Sequence, residues 1–215
     1  MTKRWLYVGA PFGAVAITMA ALAILEWRSR GVVVETGLLI DGVTFDISEL
    51  DAKQLGGRVT DEERAMMRRV VWEQVQTAYA GLRLRFTENP NAFYKVRLVQ
   101  GTLVASSKMS SGASGETYSL GPLGGISQVS VTIAVRGAFA YAPDGATRRD
   151  ILEAIGRGVG RTIVHELGHQ ILGSRHPHST DVRSYEYGSP DRIGQYYGPI
   201  HWSIWQEPLR DVLGK

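Results

Sequence analysis

The chain has 215 residues, of which 44% are hydrophobic and 21% charged, with a net charge of +3 and no cysteine. That length carries one sizeable hydrophobic core, and the composition excludes general disorder, a disulfide framework, thiolate metal sites and a cysteine nucleophile. Lys3 and Arg4 account for most of the basic excess. No basic stripe with interleaved aromatics follows them, so no nucleic-acid partner is expected.

The first element is apolar. Trp5 to Leu25 carry no charge, Lys3 and Arg4 precede them, and Glu26 with Arg28 and Arg30 follows. At 1.5 Å per residue such a helix is roughly 31 Å long, the thickness of a bilayer's hydrocarbon layer. Trp5, Tyr7 and Trp27 stand where interfacial rings belong. The run predicts a transmembrane anchor within residues 1–30, the competing reading being a cleaved signal segment ending near Ala21-Leu22-Ala23. A short basic tail before a large domain favours a single-pass protein with residues 31–215 on the extracytoplasmic side.

Val32 to Ile40 is β-branched and reads as a strand, with a turn at Asp41-Gly42. Thr60 and Glu63 form a capping box that opens a helix to about Ala80, stopped by Gly81. Leu82–Phe86 and Tyr94–Val99 read as two strands separated by the Asn89-Pro90-Asn91 turn. Of the 22 residues from Ser106 to Ser127, 12 are Gly or Ser, which predicts a long, mobile surface segment with one short strand near Glu116–Leu120. Val129–Val135 is β-branched and reads as a further strand running towards Phe139. Ile151, Ile155, Val159, Ile163, Leu167 and Ile171 recur every four residues, predicting a long helix from about Thr147 to Leu172. Gly156, Gly158 and Gly160 each weaken it by up to about 1 kcal/mol relative to alanine, so they imply close packing, expected against a sheet. A short helix closes the chain.

The five histidines, His165, His169, His176, His178 and His201, all follow residue 164. His165-Glu166-Leu167-Gly168-His169 lies on the long helix, and positions i and i+4 share a helix face, so both imidazoles can reach one metal ion. Glu166, next to the first of them, is placed to act as general base on a water. A catalytic zinc takes three protein ligands and leaves one position open. The third ligand is expected to be His176 or His178, with Asp181 and Glu186 as lesser candidates.

The segment from His165 to Ser179 resembles the metzincin metallopeptidases, whose zinc motif is HExxHxxGxxH. Here Gly173 and His176 come one residue later than in that motif and His178 three residues later. Methionine is missing after Met109, so the methionine turn of that family is absent, and the stretch Tyr196–Trp202 is expected to fill its place. An aspartate or a later glutamate as third ligand would resemble the aspzincins or gluzincins. The resemblance implies an α+β zincin fold: a twisted mixed sheet packed on a long helix and the active-site helix. It also implies Zn²⁺ as cofactor, a peptide or protein as substrate, and a tyrosine (Tyr185, Tyr187, Tyr196 or Tyr197) or His201 as a donor to the developing oxyanion. The expected function is a membrane-tethered zinc metalloendopeptidase, with residues 31–215 as its domain. The alternative is a zincin fold kept as a non-hydrolytic zinc- or partner-binding surface module.

Overall fold

The computed structural model describes residues 33–40, 45, 47, 49–101, 103–104, 111–119, 124–173, 176–190 and 192–214. The predicted anchor at 5–25 and the turn at Asp41-Gly42 lie outside the described residues. Among the described residues, no helix is long and apolar enough to cross a membrane.

The chain is a mixed α/β structure. A five-stranded sheet is built from β1 (Val34–Leu39), β2 (Leu84–Thr87), β3 (Tyr94–Val99), β6 (Gly115–Ser119) and β7 (Gly125–Ser130), in the order β2-β1-β3-β7-β6. The first four strands of that order are mutually parallel; β6 is antiparallel to β7 and forms one edge. A two-stranded ribbon, β4 (Leu103–Val104) with β5 (Ser111–Ala113), stands apart from it. Parallel strands need crossovers. The connection from β1 to β2 carries α1 (Glu49–Gln54) and α2 (Asp61–Ala78). After β7 come α3 (Val131–Ala140) and α4 (Arg148–Leu172), then a 3-10 turn at Ile193–Gln195 and α5 (Gln206–Leu213).

α4 forms the centre of the molecule. Thr147 and Asp150 close a capping box at its start, and Gly173, at φ 100°, ends it in the left-handed region where a side chain would be strained. Leu152, Ile155, Val159, Ile163 and Leu167 are buried almost completely against α2 and the sheet; each contributes about 2 kcal/mol through that burial. The glycines of α4 explain its path, but their partner is not the sheet. A Cβ on Gly156 would stand 2.9 Å from the Met67 carbonyl oxygen, and one on Gly160 2.8 Å from Gln74 Cβ, both on α2. Gly158 makes room instead for the Tyr196 ring.

Two other expectations change. Val129–Val135 is not one strand: β7 stops at Ser130, whose hydroxyl accepts from the Ile133 amide and caps α3. Val131, Ala134, Val135 and Ala138 then fall on one buried helical face, so tertiary burial overrides β-branched propensity. The Gly/Ser-rich stretch is structured in its described part as β5, β6 and the start of β7. There the small residues give the sheet edge close access to α4.

Candidate metal centre

His165 and His169 lie one turn apart on α4, and the irregular chain after Gly173 brings His178 back over them. His169 Nε2 is 3.1 Å from His165 Nε2 and 3.0 Å from His178 Nε2. All three ligand nitrogens lie within 4.8 Å of one another, close enough to share one ion. The tautomers agree with it. His165 Nδ1 sits 2.8 Å from the Tyr185 carbonyl oxygen and donates to it, which leaves Nε2 a bare acceptor facing its neighbours. Burial, reinforced by the neighbouring imidazoles, lowers the His165 pKa to about 3 and the His169 pKa to about 4, keeping both rings neutral. His178 is also lowered, by burial. His169 Nδ1 is buried near the Gly173 backbone without a hydrogen bond of good geometry. Three converging nitrogens with too few protons to satisfy one another fit a cation. The cluster can bind a metal ion.

His176 stays outside the cluster, its ring centroid 5.7 Å from that of Trp205. Asp181 accepts from the Arg183 amide and pairs with His201 Nε2 at 2.9 Å. Glu186 is wholly buried, and its carboxylate accepts from the backbone amides of Ser203, Ile204 and Trp205 at 2.8–3.1 Å. Neither acid belongs to the cluster of His165, His169 and His178. Among the tyrosines, Tyr185 and Tyr187 line the cleft beside the cluster. Tyr196 packs against Gly158, and the Tyr197 hydroxyl donates to the Ala138 carbonyl, so both are structural.

Glu166 points to the sheet edge within the same cleft, which holds about 380 Å³. A Cβ on Gly115 of β6 would collide with its carboxyl group, so a glycine there is what lets β6 lie against it. The Thr117 hydroxyl donates to Glu166 Oε2. Behind it, Ser127 Oγ lies 2.8 Å from Thr117 Oγ1 and accepts from Gln170 Nε2, which also donates to the Lys95 carbonyl at 2.8 Å. A buried donor chain therefore runs from the middle of the sheet to the carboxylate. Burial raises the Glu166 pKa to about 7 against the lowering pull of Thr117, so this carboxyl can both take up and release a proton near neutrality.

No protein-family model matches the chain, and no curated protein matches it.

Beneath the histidines lies Trp205, fully buried, with its ring centroid 5.4 Å from His165 and 4.7 Å from His169. A Cβ on Gly168, inside the histidine motif, would stand 2.5 Å from that ring. Its Nε1 donates to the Pro177 carbonyl at 2.7 Å, one residue before His178. The apolar floor is thus Trp205, not the stretch Tyr196–Trp202; Trp202 packs farther out, against Tyr79 and Tyr185. The sequence reading missed Thr117, Ser127, Gln170 and Trp205. Gln170, a polar residue set among the apolar positions of α4, is the one signal that could have found part of this network.

Proposed function

We propose that the chain is a zinc-dependent metalloendopeptidase resembling the metzincins. The observation that carries this reading is the convergence of His165, His169 and His178 in one cleft with Glu166. Three imidazoles with a carboxylate beside them, and no fourth protein ligand among the described residues, are the donor set of a catalytic zinc site. When bound, zinc supplies Lewis acidity, polarising a carbonyl and making a water more acidic. Thr117 holds one carboxylate oxygen of Glu166. The other takes a proton from the attacking water as its oxygen bonds to the carbonyl carbon, and returns it to the nitrogen as the C–N bond breaks. Strand β6 borders the cleft through Gly115, Glu116 and Thr117 and is the last strand of the sheet among the described residues, the place beside which an extended peptide would lie.

The test measures metal content and turnover of a quenched fluorescent peptide mixture. Wild type and Glu166→Gln should each retain one equivalent of zinc, with turnover lower in the variant by about 10²–10⁴. Unchanged turnover removes Glu166 as the base. Stoichiometric zinc without turnover in the wild type leaves the binding-module alternative. The uncharged run at 5–25 supports a single-pass membrane anchor with the domain outside the cytoplasm; release of the protein by alkaline carbonate would rule that anchor out.

A further inference from the structure

Two arginines are buried here, Arg161 on α4 and Arg192 beside it, and they are not equivalent. Arg161 spends all three nitrogens on Gln74 Oε1, the Gly194 carbonyl and the Gly198 carbonyl. Arg192, only 8% exposed, donates to the Val182 carbonyl and to Gln195 Oε1, and its guanidinium lies 5.0 Å above the Tyr187 ring centroid. Among the described residues its Nε, which is buried, has no hydrogen-bond partner. Asp181 is taken by His201 and Glu186 by backbone amides, and among the described residues no carboxylate lies within ion-pair distance of Arg192. Asp181 and Glu186 favour its charge only from a distance; a buried cation with an unmet donor is costly, and Arg192 lines the cleft that holds the three histidines. Gln195, to which it donates, bonds in turn to Thr162 Oγ1 at 3.1 Å, and Thr162 lies one helical turn before His165. Arg192 is therefore built into the cleft wall about one turn of α4 from the metal ligands.

We propose that Arg192, with Tyr187 and Gln195, forms a subsite for a carboxylate of the bound peptide, either an acidic side chain or the free carboxyl terminus. The proposal deepens the peptidase reading and rests on it for the nature of the ligand. Guanidinium and carboxylate match as paired donors and acceptors, and the match strengthens in a desolvated wall. Glu116 and Glu166 line the same cleft, so an anionic group of the peptide is favoured at Arg192 and disfavoured beside them.

The experiment titrates fluorescein-labelled pentapeptide mixtures, in matched sets with Glu or Gln and with a free or amidated terminus, against the full zinc-loaded chain carrying Glu166→Gln. One acid set should bind at least about tenfold tighter than its amide twin, and the set that does so identifies side chain or terminus as the source. Adding Arg192→Gln should bring the ratio to near one, and Arg192→Lys should restore part of it. Equal binding of acid and amide sets overturns the subsite without reference to how the variants fold, as does a ratio that Arg192→Gln leaves intact. Turnover by the wild type is read separately. Absent turnover with a carboxylate preference defeats the hydrolytic reading and keeps the subsite, whereas turnover without preference defeats the subsite alone.

Discussion

Two histidines two residues apart, His176 and His178, differ in what surrounds them. His178 Nε2 lies 3.0 Å from His169 Nε2, while the His176 ring packs against Trp205 and contributes no atom to the cluster. His178→Ala should therefore abolish stoichiometric zinc, and His176→Ala should keep it, as read by metal analysis of the purified proteins. Loss of zinc in the second variant only would place the ligand set elsewhere. The pair also shows how far local sequence reasoning reaches. Both histidines follow the helix-ending Gly173, so their spacing from His169 has no helical meaning. The carbonyl of Pro177 is held by the Trp205 indole, and the next residue, His178, is the one whose Nε2 meets His169.

At the scale of elements, the glycines of α4 set helix propensity against packing. Alanine in a helix interior is worth up to about 1 kcal/mol more than glycine, but a Cβ on Gly156 would meet the Met67 carbonyl oxygen at 2.9 Å. A backbone oxygen cannot step aside, and overpacking costs about 1–3 kcal/mol. Gly156→Ala should be destabilising by roughly 1 kcal/mol or more on chemical denaturation; a stabilised variant would mean that α2 and α4 are not in close contact there. Where those two helices begin, Arg148 ties Glu63 of the α2 capping box to the carbonyls of Leu55, Gly57 and Arg58. The Arg148 guanidinium holds the Glu63 carboxyl below its ordinary value of about 4.5, so the charged form is the one that folding favours. Its stabilisation is full above that ordinary value and disappears as pH falls through the lower folded one. Glu63→Gln should cost about 1 kcal/mol at neutral pH, screening included, and nothing in strong acid. A pH-independent difference would show that shape alone matters.

The whole molecule is closed by its last forty residues, which return across α4 and place Trp205 under the metal cluster. Glu186 is the latch: its buried carboxylate takes three backbone amides at the start of α5. Glu186→Gln turns one accepting oxygen into a donor facing donors. It should cost about 2 kcal/mol or more and weaken zinc binding, although Glu186 touches neither the metal ligands nor the cleft. Wild-type zinc affinity in a measurably destabilised variant would uncouple the floor from the site. The sequence alone determined the capped helices, the strands β1 to β3, His165 and His169 as a pair, and Glu166 beside them. Each of these follows from contacts within a few residues, where the helical rise and the strand alternation set the geometry directly. It misassigned the Val129–Val135 run, whose fate depends on which face is buried rather than on branching at Cβ. The third histidine, the Trp205 floor, the Thr117–Ser127–Gln170 chain and the place of Arg192 in the cleft wall were decided only in the tertiary structure. All four depend on chain segments that meet after long separations, and no local periodicity records which backbone carbonyl or glycine will be there to receive them.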